Sequence, residues 1–150
     1  MNSYRITLSR WSLKLIASGN PGRWNSAGQK MIYTAASRAL ACLENMAHRA
    51  DEGQTKIYKV MVIEIPAELN IEKITLADLP ENWFLYEHFV TCAAIGDKWL
   101  KKNTSAVLRV PSAIILNEFN FLINPEHRDF KKIKLNRIED FRFDPRIITN

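Results

Sequence analysis

The sequence predicts an α+β (mixed α/β) fold in one domain, residues 1–150. Short strand-like runs alternate with two helix-like segments, which is the pattern of a sheet covered by helices rather than of a bundle or an all-β sandwich. The chain of 150 residues is long enough to bury one substantial core. It shows no internal repeat, low-complexity tract or linker at which a second domain would begin.

Taken in order, Tyr4-Arg5-Ile6-Thr7-Leu8 alternates well enough for a first strand, and Trp11 to Ala17 carries no clear period. Asn20-Pro21-Gly22 is a turn and opens a polar loop ending near Gly28. Met31 to Ala36 is an apolar run of strand length. Ser37 is a helix N-cap, with a helix from Arg38 to about Ala50. Ile57 to Ile65 is the clearest strand, stopped by Pro66. Residues 67–82 look like a peripheral connection. Glu87 to Leu100 is the second helix, which Gly96 is positioned to interrupt. Ser105 to Val110 and Phe119 to Ile123 read as strands. Lys131 to Phe143 alternates weakly and suits one or two edge strands.

The stretch from Gly22 to Glu44 puts a loop arginine, a strand tyrosine and a helix glutamate into one short apolar unit. On a helical wheel Met46, Ala39, Leu43, Ala36, Ala47 and Leu40 share one arc. Glu44 lies about 40° beyond Leu40 on the same wheel, at the shoulder of that arc. Asn45, Arg38 and Arg49 fall opposite, with His48 between. Position alone favours a surface glutamate over a cleft carboxylate, since an unpaired Glu is rarely buried.

Composition bounds the function. An apolar fraction of 47% and a charged fraction of 25% are ordinary for a globular protein. No apolar stretch approaches the roughly 20 residues that span a bilayer, and no signal-peptide core is present, so a cytoplasmic protein with no membrane partner is expected. Cys42 and Cys92 lie in apolar segments, spaced for neither a disulfide framework nor a zinc site. The net charge of +5 is uneven: residues 1–49 hold seven Lys/Arg against the single acid Glu44. A basic first third suits an anionic ligand, an acidic partner or simply a solvated face.

Familiar chemical motifs are missing. The five glycines form neither GxGxxG nor GxxxxGK[ST], and His48, His88 and His127 are scattered, so no metal site is expected. Ser112, in Val-Pro-Ser-Ala, has no nucleophile-elbow context and taken bare is a turn or cap serine. Trp24, Tyr33, Trp83 and Trp99 are by type core-packing residues before they are ligand platforms.

Seven short motifs nevertheless occur together and in order. They are Gly-Arg-Trp-Asn at 22–25, Ile-Tyr-Thr at 32–34, Ala-Cys-Leu-Glu at 41–44 and Gly-Asp-Lys-Trp-Leu at 96–100. Leu-Arg-Val-Pro-Ser-Ala at 108–113, Leu-Ile-Asn-Pro-Glu-His at 122–127 and Phe-Asp-Pro-Arg at 143–146 complete the set. Each is weak alone; the ordered set resembles the RES-domain family over nearly the whole chain, from Tyr4 to Arg146. Leu116 stands where many members carry a proline.

That resemblance implies a fold similar to ADP-ribosyltransferases and a bacterial toxin that consumes NAD, held by an Xre-type antitoxin. It implies Arg23, Glu44 and Ser112 as the named catalytic residues, with Arg5 and Tyr33 lining the pocket. No cofactor is implied, because NAD is the substrate. The chemistry suits these residue types. Guanidinium forks at Arg5 and Arg23 match a pyrophosphate, and a carboxylate at Glu44 suits a ribose hydroxyl and an oxocarbenium-like transition state. The Tyr33 ring suits stacking on nicotinamide, and Ser112 a hydrogen bond at ribose or carboxamide.

The acceptor stays open between inorganic phosphate, water and a protein side chain. The compact chain favours the small acceptors, hence an NAD phosphorylase or NAD glycohydrolase, with a protein ADP-ribosyltransferase as the alternative. A non-enzymatic module binding nucleic acid through the basic first third is the more distant alternative. Against it, the basic residues are interleaved with apolar ones and form no dense run, so no direct nucleic-acid contact is expected.

Overall fold

The computed structural model describes residues 1–48 and 56–147. Seven strands form one sheet: β1 (Asn2–Leu8), β2 (Ile32–Ala35), β3 (Tyr58–Glu64), β4 (Ile71–Lys73), β5 (Val107–Pro111), β6 (Phe119–Ile123) and β7 (Lys134–Phe141). Their order is β4-β5-β6-β2-β1-β3-β7. Among the described strands only β4 and β5 run parallel. The described residues also form two α-helices, α1 (Arg38–His48) and α2 (Phe89–Lys102).

Strand alternation sorts the core onto two faces. Ile32, Met61, Ile63, Val107, Phe121 and Ile123 pack together on one. The other carries Ile6, Ala35, Val60 and Val62 against Leu40 and Ala41 of α1. On the same side Leu108, Val110 and Leu122 meet Trp24, Trp83, Cys92 and Trp99 around α2. Trp24, Trp83 and Trp99 are therefore core residues.

The sheet is continuous but nearly divided. β1 pairs with β3 along its whole length, from Asn2↔Glu64 to Leu8↔Tyr58. With β2 it shares the single pair Tyr4↔Ala35. Extending that register would set Ile6 against Tyr33, but there the strands have parted. The carbonyl of Ile6 is taken instead by the side chain of Asn45, whose Nδ2 donates to it at 3.1 Å. A side chain of α1 thus supplies a hydrogen bond that a neighbouring strand would otherwise make, and it ties the helix down over the gap.

α1 begins where its sequence says: the Leu40 N–H donates to Ser37 Oγ at 3.1 Å, an N-cap bond. The last residues expected in this helix, Arg49 and Ala50, lie outside the described residues. Its buried face differs from the expected arc. Ala36, Ala39 and Ala47 are exposed, whereas Leu40 and Ala41 are buried. Glu44 falls between those two on the wheel and so faces inward, and Asn45 follows it. The apolar pattern lost because alanine buries little area, while the two polar side chains each find partners on the sheet.

Two other expectations change and a third, an edge strand in the tail, holds. The 67–82 connection contains a strand, β4, too short and polar to show a period. Gly96 does not interrupt α2. A Cβ there would lie 1.8 Å from the Trp24 carbonyl oxygen, so the glycine lets a loop backbone rest on the helix. The tail forms one strand, β7, at the sheet edge beside β3.

Candidate active site

Glu44 sits on the inward face of α1, above the strand ends of β5 and β6. Its Oε1 accepts from Ser112 Oγ at 2.9 Å and from Asn120 Nδ2 at 2.5 Å. Its Oε2 has no hydrogen bond among the described residues. Two donors on one oxygen fix the plane of the carboxylate and leave the other oxygen available.

Ser112 is held in turn. Its Oγ also accepts from the N–H groups of Ile114 and Ile115, both at 3.1 Å, so it is a turn serine as well as a partner of Glu44. Asn120 is buried and projects from β6 on the same face as its strand neighbours Ala35 and Val110. Its amide orientation follows from chemistry, since only the NH2 group can face a carboxylate. That leaves Asn120 Oδ1 buried without a partner. Sequence reasoning missed Asn120; the one signal was a single polar residue inside the apolar run Phe119 to Ile123.

Tyr33 lies on β2 past the last pair with β1. Its hydroxyl donates to Asn25 Oδ1 at 2.6 Å and accepts from the Trp24 N–H at 3.0 Å. Burial pushes this phenol well above its ordinary range, so it stays neutral. Asn25 is itself anchored by Nδ2 bonds to the carbonyls of Asn20, Ser26 and Gln29. Gly22 leaves room for the ring: a Cβ there would stand 2.6 Å from the Tyr33 oxygen. The loop is latched to α2 by Asp97 Oδ1, which accepts from the Ser26 N–H at 3.0 Å.

Arg23 is more committed than its residue type suggested. Its Nη1 donates to the Trp83 carbonyl at 3.1 Å and its Nη2 to the Phe84 carbonyl at 2.9 Å. Its guanidinium lies 5.9 Å from the Trp83 ring centre and 5.5 Å from that of Phe89. It clamps the segment before α2.

Arg5 stands apart from the other four. On β1 it alternates with Tyr4 and Ile6, which pack beneath α1, so its side chain leaves the opposite face of the sheet. There its Nη1 donates to the Ile16 carbonyl at 3.0 Å. Burial lowers its pKa. The structure thus joins Glu44 to Ser112, bonds Tyr33 to Trp24 and Asn25 and Arg23 to the Trp83 and Phe84 carbonyls, and leaves Arg5 across the sheet. Among the described residues no group of three His, Cys, Asp or Glu side chains is placed to hold a metal. No described helix is long and apolar enough to cross a membrane.

Comparison with known proteins follows the same lines. The Prs ADP-ribosylating toxin of Sphingobium sp. (strain YBL2) is 38% identical over 129 residues, covering 85% of this chain and 80% of that one. Toxin Res of Yersinia enterocolitica is 35% identical over 153 residues, covering 98% of this chain and 99% of the relative. Among solved structures, the M. tuberculosis MbcT–MbcA toxin–antitoxin complex contains a chain that matches with a TM-score of 0.75 at 18% identity. That match covers 94% of this chain and 84% of the other, and it is a likeness of fold. The family model described as the RES domain matches residues 3–144, and with it the ordered motifs find their explanation: this chain belongs to the RES-domain family.

Proposed function

We propose that this protein is the toxin of a toxin–antitoxin pair and that it cleaves NAD at the bond between nicotinamide and ribose. The observation that carries the reading is the carboxylate of Glu44, held through Oε1 by Ser112 and Asn120 with Oε2 unengaged. In this reaction the C–N glycosidic bond breaks, the electron pair leaves with neutral nicotinamide, and the ribose carbon becomes oxocarbenium-like. A fixed carboxylate oxygen stabilises that charge and accepts from a ribose hydroxyl. The neutral ring of Tyr33, pinned through its hydroxyl, offers a flat face for nicotinamide. Arg23 contributes its positive charge and the wall it clamps, since both Nη groups are already bonded to carbonyls. Arg5, on the other face of the sheet from Glu44, is given no contact with the substrate in this reading.

The acceptor that attacks the ribose carbon is phosphate or water in the first reading. A protein side chain is the second, favoured by the name of the Sphingobium relative, an ADP-ribosylating toxin. The test is product analysis after NAD is incubated with purified protein, with and without inorganic phosphate, and with cell extract. Phosphorylated ADP-ribose, free ADP-ribose or modified protein identifies the acceptor. Absence of nicotinamide release under all three conditions would overturn the reading.

The partner in this reading is an Xre-type antitoxin that masks the cleft, supported by the likeness to a chain solved as a toxin–antitoxin complex. The basic first third, with Glu44 as its only acid, suits an acidic segment of such a partner. NAD binding by the purified complex decides it. Full affinity in the complex would rule out masking, and affinity regained on antitoxin removal supports it.

A further inference from the structure

We infer that the cleft between Ile74–Ala77 and the ends of β5 and β6 is a second ligand site, one that takes a small organic anion. Its ligand would present a carboxylate or phosphate ester on a flat or aliphatic body. The cavity measures about 370 Å³ and is walled by Ile74, Leu76, Ala77, Pro111 and Phe119, with Arg109 as its one charged residue. That volume suits a small molecule, and the walls are apolar apart from Thr75 and Asn117.

Arg109 supplies the anion chemistry. Its guanidinium carbon lies 4.2 Å from the Phe119 ring centre, a cation–π contact that holds it against the wall. Arg5, Arg23 and Arg38 each spend N–H groups on a protein acceptor. The Arg109 side chain makes no such bond or ion pair among the described residues, and its Nε is sealed from solvent without a partner. Arg109 is half-buried and lines the cavity, so an anion there meets the accessible part of a guanidinium that no protein acceptor engages.

The site is separate from the Glu44 centre. Leu108 and Val110 point toward α2, so Arg109 between them projects from the other face of β5. The two sites are nonetheless back to back. Pro111 and Phe119 form a register pair lining the cavity, and the residues that follow them, Ser112 and Asn120, are the two donors to Glu44. The inference does not depend on the NAD reading.

Phenyl phosphate, with inorganic phosphate and phenol for comparison, is titrated into the intact protein and followed by calorimetry and by protein amide shifts. Phenyl phosphate is expected to bind saturably and at least tenfold more tightly than either fragment. Arg109→Gln should weaken it tenfold or more. Leu76→Glu, at an exposed position on the cavity rim, should do the same by repulsion with the fold undisturbed, which covers the case in which Arg109→Gln fails to fold. Glu44→Gln should leave binding unchanged. No saturable binding, or equal binding by the Leu76→Glu variant, overturns the inference. So does binding lost in Glu44→Gln, which would place the anion in the Glu44 site.

Discussion

Ser112 Oγ donates to Glu44 Oε1 at 2.9 Å, joining residues 68 positions apart in the chain. The bond connects the end of β5 to the middle of α1, and with Asn120 it decides which carboxylate oxygen faces open space. A helix glutamate becomes a directed group only through these two strand residues.

Glu44→Gln should abolish NAD consumption and leave the fold intact. The amide oxygen can still accept from Ser112 and Asn120, so packing is kept while the charge is lost. By analogy with single-donor losses at preorganised sites, the cost is about 3 kcal/mol in transition-state stabilisation, on the order of a hundredfold in rate. Unchanged nicotinamide release by a variant with a native melting curve would return Glu44 to a structural role.

Asn120→Asp should move the acid limb of the pH–rate profile upward. A second carboxylate 2.5 Å from Glu44 Oε1 disfavours the charged form of the pair, so protonation persists to higher pH. Activity in this variant should therefore be lost over a wider acid range than in the parent and recover as pH rises. Asn120→Ala, which removes the donor without adding charge, should lower kcat with a smaller shift of the limb. Identical pH profiles for parent and Asp variant would remove Asn120 from the site.

Arg23→Lys should cut activity severely although charge is retained. An ammonium cannot span the Trp83 and Phe84 carbonyls as the fork does, so the segment before α2 loses its clamp. Arg38→Lys is the control. Arg38 pairs with Glu139 through Nε at 2.8 Å and Nη2 at 2.7 Å and makes no hydrogen bond to Glu44, Ser112 or Asn120, so Lys there should leave turnover unchanged. The pair is solvent-screened, so its loss should change stability little. Equal turnover by both variants would deny Arg23 a special place.

Gly96→Ala should destabilise the protein even though alanine is the better helix former. The propensity gain is about 1 kcal/mol. Against it, the new Cβ would meet the Trp24 carbonyl at 1.8 Å, forcing the helix off the loop that carries Arg23 and Asn25. Overpacking of this kind costs about 1–3 kcal/mol or more. Thermal unfolding should show a lower Tm, and a raised Tm would show that the loop moves freely.

Local pattern was enough for the α+β class, for most strands, for the Ser37 cap and for the pairing of Arg23, Tyr33 and Glu44 with a family. Those signals lie in stretches of five to seven residues, where apolar spacing, a cap or an ordered motif is visible without the fold. Which face of α1 turns inward was not visible in that way. The wheel weighs only apolar area, and here hydrogen bonds from Asn45 to β1 and from Ser112 and Asn120 to Glu44 outweigh three alanines. The same limit explains Gly96, which local propensity marks as a helix breaker and which tertiary packing requires for close approach of the Trp24 backbone. It explains Arg5 as well: alternation along β1 sets its side-chain direction, but only the strand order and the seat of α1 show that Glu44 lies on the other face. Contacts between residues 68 or 76 positions apart are settled by how strands are ordered in the sheet, and no local period encodes that order.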